Sequence, residues 1–306
     1  MTNPELPSQK SEYSPKVQRW LDTSVTLRAV GALILLAVGM FIAYTWGSAV
    51  QQGRNANDNL LADMELGKSD EGGECNVTGI NLHGVMTTYI PAGLFNEEDI
   101  ITEDVVASED ITYAINQAEW DDDVKAILLE VDSYGGLPVA GEEIANALMR
   151  TTKPTVAFIR SGGASAAYWA ATGADRIFAS QNSDVGGIGV TMSYLDNSER
   201  NRQEGLSYVD LSTGKFKDTG SPDKPLTADE RAILMRDLKI VYENFIEAVS
   251  ANRDIPAEEV RVIADGSTVM GARAVELKLV DEIGGLFEAE QYLSEQIGEE
   301  VATCWY

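Results

Sequence analysis

Residues 124–136 read VKAILLEVDSYGG, an apolar run from Val124 to Val131 that closes on Asp132-Ser133-Tyr134-Gly135-Gly136. A short apolar run bounded by a Gly-Gly turn predicts a strand buried on both faces. The next stretch has a different period. Pro138 stands in the first turn of a predicted helix, with Ile144, Ala147 and Leu148 on one face. Beyond that helix, residues 155–159 read as the next buried strand, with a Gly-rich loop and a small-residue helix behind it, and residues 176–179 as another. Upstream, residues 77–82 alternate and end at Gly84, and residues 111–118 have helical spacing. Repetition of strand, turn and helix implies a layered α/β domain whose functional loops lie at strand ends. Downstream, Thr227-Ala228-Asp229-Glu230 is a capping box. It opens a long helix with Leu234, Leu238, Val241, Phe245 and Val249 at spacings of three and four.

The chain of 306 residues is 44% hydrophobic and 24% charged, a globular composition long enough to bury a core. Its 49 acidic and 23 basic side chains give a net charge of −26, a field that repels phosphate backbones and argues against nucleic-acid partners. Two cysteines cannot make a zinc knuckle or an iron–sulfur cluster. The single histidine excludes any mechanism that needs a histidine pair, and a Ser-His-Asp triad would have to use His83.

Residues 29–53 carry no charge, and residues 30–46 are almost wholly apolar. A helix of ~18 residues covers ~27 Å, close to the ~30 Å core of a bilayer. Lys10, Lys16, Arg19 and Arg28 precede the span and acids dominate after Arg54, so the positive-inside rule puts the N-terminus in the cytoplasm. A buried core helix or a signal peptide cleaved near Gly47-Ser48-Ala49 are the competing readings. The expectation is a cytoplasmic tail (1–28), an uncleaved transmembrane anchor (29–50), a polar tether (51–74) and an extracytoplasmic domain (75–306). Cys75 and Cys304 sit at the two ends of that domain. They read either as a staple formed in an oxidising compartment or as two free thiols.

Three segments can carry chemistry. Ser161-Gly162-Gly163-Ala164-Ser165-Ala166-Ala167-Tyr168-Trp169 is a run of tiny residues after a strand, where a serine can meet free amides at a helix start. By itself it reads more readily as a capping serine in a Gly-rich turn. Gly135-Gly136 can expose a backbone N–H, or simply turn the chain. Gly214-Lys215-Phe216-Lys217-Asp218-Thr219-Gly220-Ser221-Pro222 sets two lysines around an aromatic in an acidic chain, and surface lysines are most often only solvated.

Taken in order, the segments resemble peptidase family S49, the membrane-anchored serine peptidases of the signal peptide peptidase A type. The nucleophile of that pattern matches Ser165 and its lysine matches Lys217. Asp184-Val185-Gly186-Gly187-Ile188-Gly189-Val190 is similar to the family's glycine-rich stretch, and Ala264-Asp265-Gly266 with residues 271–274 and 279–285 to its C-terminal signature. Two departures stand out: Tyr134 replaces the usual proline, and Ala166-Ala167 replace Gly-Gly.

The resemblance implies an α/β fold of the ClpP/crotonase type, a superhelix of β-β-α turns. It also implies a homo-oligomeric ring in which Ser165 and Lys217 of one site can come from neighbouring subunits. The implied oxyanion hole is the N–H groups of Gly136 and Ala166, and the implied substrate contacts are Gly135, Gly187, Ile188 and Gly189. The substrates implied are hydrophobic, unstructured peptides such as released signal peptides, with no metal or other cofactor. An ordinary lysine, with a pKa of ~10.4, is only ~0.04% neutral at pH 7. Acting as a base near neutrality takes ~4 kcal/mol against its charged form, which burial supplies, so Lys217 is expected desolvated beside Ser165 with Asp218 facing away. Lys215 is the rival base. A crotonase-like acyl-CoA enzyme and a catalytically silent membrane scaffold remain as alternatives.

Overall fold

The computed structural model of the chain describes residues 75–90 and 104–306. The expected tail, anchor and tether lie outside the described residues, and among the described residues no helix is long and apolar enough to cross a membrane. The first half runs β1 (Val77–His83), β2 (Val85–Thr87), β3 (Val105–Ala107), α1 (Ser108–Trp120), β4 (Ala126–Ser133), α2 (Pro138–Arg150), β5 (Thr155–Ala164), α3 (Ala166–Ala171), β6 (Arg176–Ala179) and β7 (Asp184–Gly186). The second half runs α4 (Ser198–Gln203), α5 (Ala228–Arg253), α6 (Ala257–Ile263), β8 (Thr268–Met270), α7 (Gly271–Glu276), β9 (Glu282–Ile283), α8 (Leu286–Ile297) and β10 (Thr303–Trp305).

The fold is α/β. Its main sheet has the order β10-β1-β4-β5-β6-β9, with every neighbouring pair parallel. The apolar run at residues 124–131 supplies a central strand buried on both sides, as its composition requires. Ile127, Leu129 and Val131 join the larger core with α1, α2 and α3, while Ala126 and Leu128 pack with Phe158, Phe178 and Leu293 of α8. Ile127 and Leu129 are fully buried, and truncating either to alanine costs about 2–5 kcal/mol.

The sequence pattern ends β5 at residue 159 and makes residues 161–164 a loop. The structure corrects this. After Val131↔Ile159 the pairing resumes at Ser133↔Gly163, so an irregularity at the exposed Arg160 and Ser161 bends the strand instead of ending it. Residues Gly162–Ala164 then pair with β7, which pairs antiparallel with β8. The end of β5 thus carries a second layer with β7 and β8 off the main path of the sheet, while β2 and β3 pair with each other and Met86 bridges to Gly136. Ser165 leaves the end of that layer.

Behind it, α3 is buried along its whole length. A Cβ on Gly141 would come within 2.5 Å of the Ala166 carbonyl oxygen, so only glycine lets α2 approach this closely. The Tyr168 hydroxyl donates to Leu279 O (2.9 Å), and burial pushes its pKa far above the ordinary phenol value. Trp169 stacks on Phe245 of α5 at 4.9 Å between ring centroids. The capping box on α5 is formed: the Thr227 hydroxyl accepts from the Glu230 N–H, and the Glu230 carboxylate accepts from the Thr227 N–H (2.8 Å). Of its apolar stripe, Phe245 and Val249 are buried with Ile246, whereas Leu234, Leu238 and Val241 are only half-buried. The helix runs past the core of its own chain.

Cys75 and Cys304 are joined, with Cα atoms 5.8 Å apart, where β10 pairs with β1 at Thr78↔Cys304. The bond closes a loop spanning a sequence separation of 229. Replacing both cysteines with serine is expected to cost about 2–4 kcal/mol, measured as a lower denaturant midpoint. An unchanged midpoint would show that the bond constrains nothing.

Candidate active site

Ser165 is the corner between β5 and α3, at φ 56° and ψ −128°. A residue with a Cβ reaches this backbone region at a cost of about 1–3 kcal/mol, and it persists only where the surroundings enforce it. Here the Ser165 N–H donates to Gly186 O (2.8 Å) on one side, and its carbonyl accepts from the Trp169 N–H (3.0 Å) on the other. The side chain is thrown clear of both β5 and α3.

The Gly135-Gly136 turn lies against this corner. Gly135 has φ +98°, and a Cβ there would lie 2.8 Å from Ala166 N and 2.9 Å from Ser165 Cβ. Ser133 holds the turn, donating to Gly84 O (2.6 Å) and accepting from the Gly135 N–H (3.0 Å), a role its place in the sequence does not suggest. Met86 receives its bridge through Gly135 O and the Leu137 N–H, so the Gly136 N–H is left over. Among the described residues neither the Gly136 nor the Ala166 N–H has an acceptor. Two backbone donors beside a serine hydroxyl are what an oxyanion site requires.

Gly136, Ser165 and Ala166 open on a cavity of about 650 Å³. Trp169, Val190, Val241 and Phe245 give one part of its wall an aromatic and aliphatic lining. Gly187 and Gly189 line it too, whereas the Ile188 side chain is buried in the core. The glycine stretch is clamped from the far end of the chain: the Gly187 N–H donates to Ser267 O (3.1 Å), and the Gly266 N–H donates to Ile188 O (3.0 Å). Asp265 and Gly266 therefore form part of the cavity wall. Their place in the C-terminal signature was the available signal.

Within the single chain the structure does not bring Lys217 to Ser165. Lys217 is exposed, its stem lies over Gly214, and it is not among the residues lining the serine cavity. Its charged neighbours are paired elsewhere. Lys215 pairs with Asp229 (2.6 Å) and lies over the Phe216 ring. Asp218 is turned to Lys224 (3.1 Å), which also pairs with Glu230 (2.5 Å). Glu230 is buried, and Lys224 together with the Thr227 N–H lowers its pKa to about 2.

His83 is held elsewhere, with Nε2 2.9 Å from Glu130 Oε1, an oxygen that also accepts from Arg160 (2.9 Å). Loss of a triad histidine costs about 10³-fold or more. His83→Ala is expected to keep peptide turnover within about tenfold of wild type. A loss of the triad size would reinstate His83 as the base.

The sequence pattern of Peptidase family S49 matches residues 147–299, half of the chain and inclusive of both Ser165 and Lys217. The chain belongs to peptidase family S49. Among the relatives it matches, "Putative protease" of Methanocaldococcus jannaschii is 35% identical over 181 residues, 58% of either chain. "Putative signal peptide peptidase SppA" of Enterococcus faecium is 26% identical over 278 residues, covering 87% of this chain and 77% of that one. "Protease 4" of Haemophilus influenzae is 28% identical over 205 residues, but the match spans 66% of this chain and only 33% of the relative. A solved ClpP1 variant from Listeria monocytogenes aligns with a TM-score of 0.44 at 13% identity, over 69% of this chain and 93% of that one.

Proposed function

We propose that this chain is a membrane-anchored serine endopeptidase that cuts unstructured apolar peptides, such as released signal peptides, on the extracytoplasmic side. The strained Ser165 corner beside two unpaired N–H groups carries the reading. Lys217, as a neutral amine, takes the Ser165 proton while Oγ attacks the peptide carbonyl carbon. The oxyanion that forms accepts from the Gly136 and Ala166 N–H groups, worth a few kcal/mol of the barrier (about 3–4 per donor where measured). The C–N bond then breaks and the leaving amine takes the proton from Lys217; water, deprotonated by Lys217, attacks the acyl-serine, the C–Oγ bond breaks, and Ser165 takes the proton back as the acid product leaves.

The lysine comes from a neighbouring copy in a ring of the ClpP/crotonase kind. Its segment carries the exposed apolar side chains Leu206, Val209, Leu211 and Phe216, and Leu211 is 93% exposed. Packing these against a second copy would bury Lys217 with them, which is the desolvation a lysine base needs. The half-buried first turns of α5 offer a surface for the same contact. The Cys75–Cys304 bond supports an oxidising compartment, and residues 29–50 supply the anchor. The test is labelling of the full chain with a fluorophosphonate, located by peptide mass spectrometry. Modification at Ser165 supports the reading; none in a well-formed assembly removes it in favour of a scaffold.

A further inference from the structure

Ser165 stands where two cavities meet that differ in the charged side chains lining them. Beside the apolar one lies a second, of about 710 Å³, lined by the charged side chains of Asp104, Asp132 and Arg160. Tyr134, Gly136, Ser165 and Thr191 line both, and Tyr134 is the largest side chain of the four. It stands where the family resemblance calls for proline.

Although 63% exposed, the Tyr134 ring is held in place. Its hydroxyl donates to Asp184 Oδ2 (3.2 Å), and Asp184 Oδ1 accepts from the Thr268 hydroxyl (3.2 Å). The hydrogen bond to Asp184 raises the phenol pKa, so the hydroxyl stays a donor. The ring is seated on Gly162: a Cβ there would lie 2.9 Å from Tyr134 Cζ, and its three nearest atoms all belong to that ring. The acid within the apolar cavity, Asp265, has Oδ1 occupied by the Ser267 N–H (2.9 Å) and hydroxyl (2.6 Å).

We propose that Tyr134 determines specificity, as a wall that keeps a side chain in the apolar cavity out of reach of the Asp132 and Asp184 carboxylates. The proposal rests on Ser165 being the nucleophile. With the wall in place, leucine in that cavity gains burial, while lysine loses hydration and meets one acid, Asp265, whose Oδ1 is already held by Ser267. Without it, the ammonium reaches the Asp184 Oδ2 that the phenol had occupied and Asp132, whose oxygens accept only long bonds from the Ser161 hydroxyl (3.4 Å) and the Gly162 N–H (3.3 Å).

Two variants remove the wall by different routes. Tyr134→Ala deletes the ring, and Gly162→Ala places a methyl group in its seat; Gly162 does not need a positive φ, so the ring gives way rather than the backbone. Matched fluorogenic peptides with Leu or Lys at one position are compared by kcat/KM. The position is the one at which the wild type shows its largest leucine preference. That preference is expected to fall about tenfold or more in Tyr134→Ala and Gly162→Ala, and by less than about threefold in Tyr134→Phe, which keeps the ring. A preference unmoved in both wall variants while they still cut the leucine peptide overturns the assignment and leaves the peptidase reading intact. An equal loss on both peptides marks a structural role and overturns it as well. A wild type that cuts neither peptide and is not labelled at Ser165 removes the peptidase reading, and this inference with it.

Discussion

With Ser165 replaced by alanine, kcat/KM for an unstructured apolar peptide is expected to fall about 10⁴-fold or more, and Lys217→Ala to fall as far. In the proposed mechanism the two effects match because the residues act as a unit: without the base the hydroxyl is a weak nucleophile, and without the hydroxyl the base has nothing to activate. Fluorophosphonate labelling should vanish in Ser165→Ala and slow steeply in Lys217→Ala. Lys217 is the position that the family resemblance gives, and the two lysines nearest to it in sequence are held elsewhere. Lys215 is paired with Asp229. Lys224 lies between Glu230 and Asp218, whose hydrogen bonds raise its pKa and keep it an ammonium with no lone pair to offer. Among the described residues Lys217 has no carboxylate partner, and Asp218 beside it is already neutralised by Lys224. Lys217→Ala retaining turnover within about tenfold would sink the dyad and return attention to Lys215.

The parts of this fold that could be read in advance are those where side chains carry a period. Residues 126–129 and Val131 are apolar and the structure buries both faces, with Glu130 the one buried charge among them. The cap at Thr227 is local chemistry between residues three apart, and it forms as written. The bend and continuation of β5 could not be read, because Gly162 and Gly163 have no side chains to show a strand period. The same glycines are what permit the second layer: a Cβ on Gly163 would lie 2.8 Å from the Ile159 side chain.

Site residues divide in the same way. Ser165 and the Gly135-Gly136 turn stood out by composition, and they meet in the structure. Tyr134 with Asp184, and Gly187 with Ser267, meet only because the second layer brings distant segments together. No local pattern encodes such contacts. Lys217 is the limiting case, since the chain that carries it does not itself complete the arrangement the chemistry needs.

That separation yields the second large effect. Ser165→Ala and Lys217→Ala, each inactive alone, are expected to regain activity when mixed in equal amounts under conditions that exchange subunits. If each site takes its serine from one copy and its lysine from the next, each half is intact in half of the subunits. Random mixing then gives whole sites at about a quarter of positions in a closed ring. Exchange is verified by pulling down one variant through a tag and detecting the other in the assembly. If the lysine instead reaches the serine of its own chain, through a rearrangement of the segment around residue 217, every site in the mixture lacks one partner. Exchange without recovered turnover would therefore place both residues in one chain. Recovery near a quarter would explain why Lys217 lies exposed in the isolated subunit: the water around it is displaced only when a second copy covers its segment, so the base becomes competent at the same step that assembles the site.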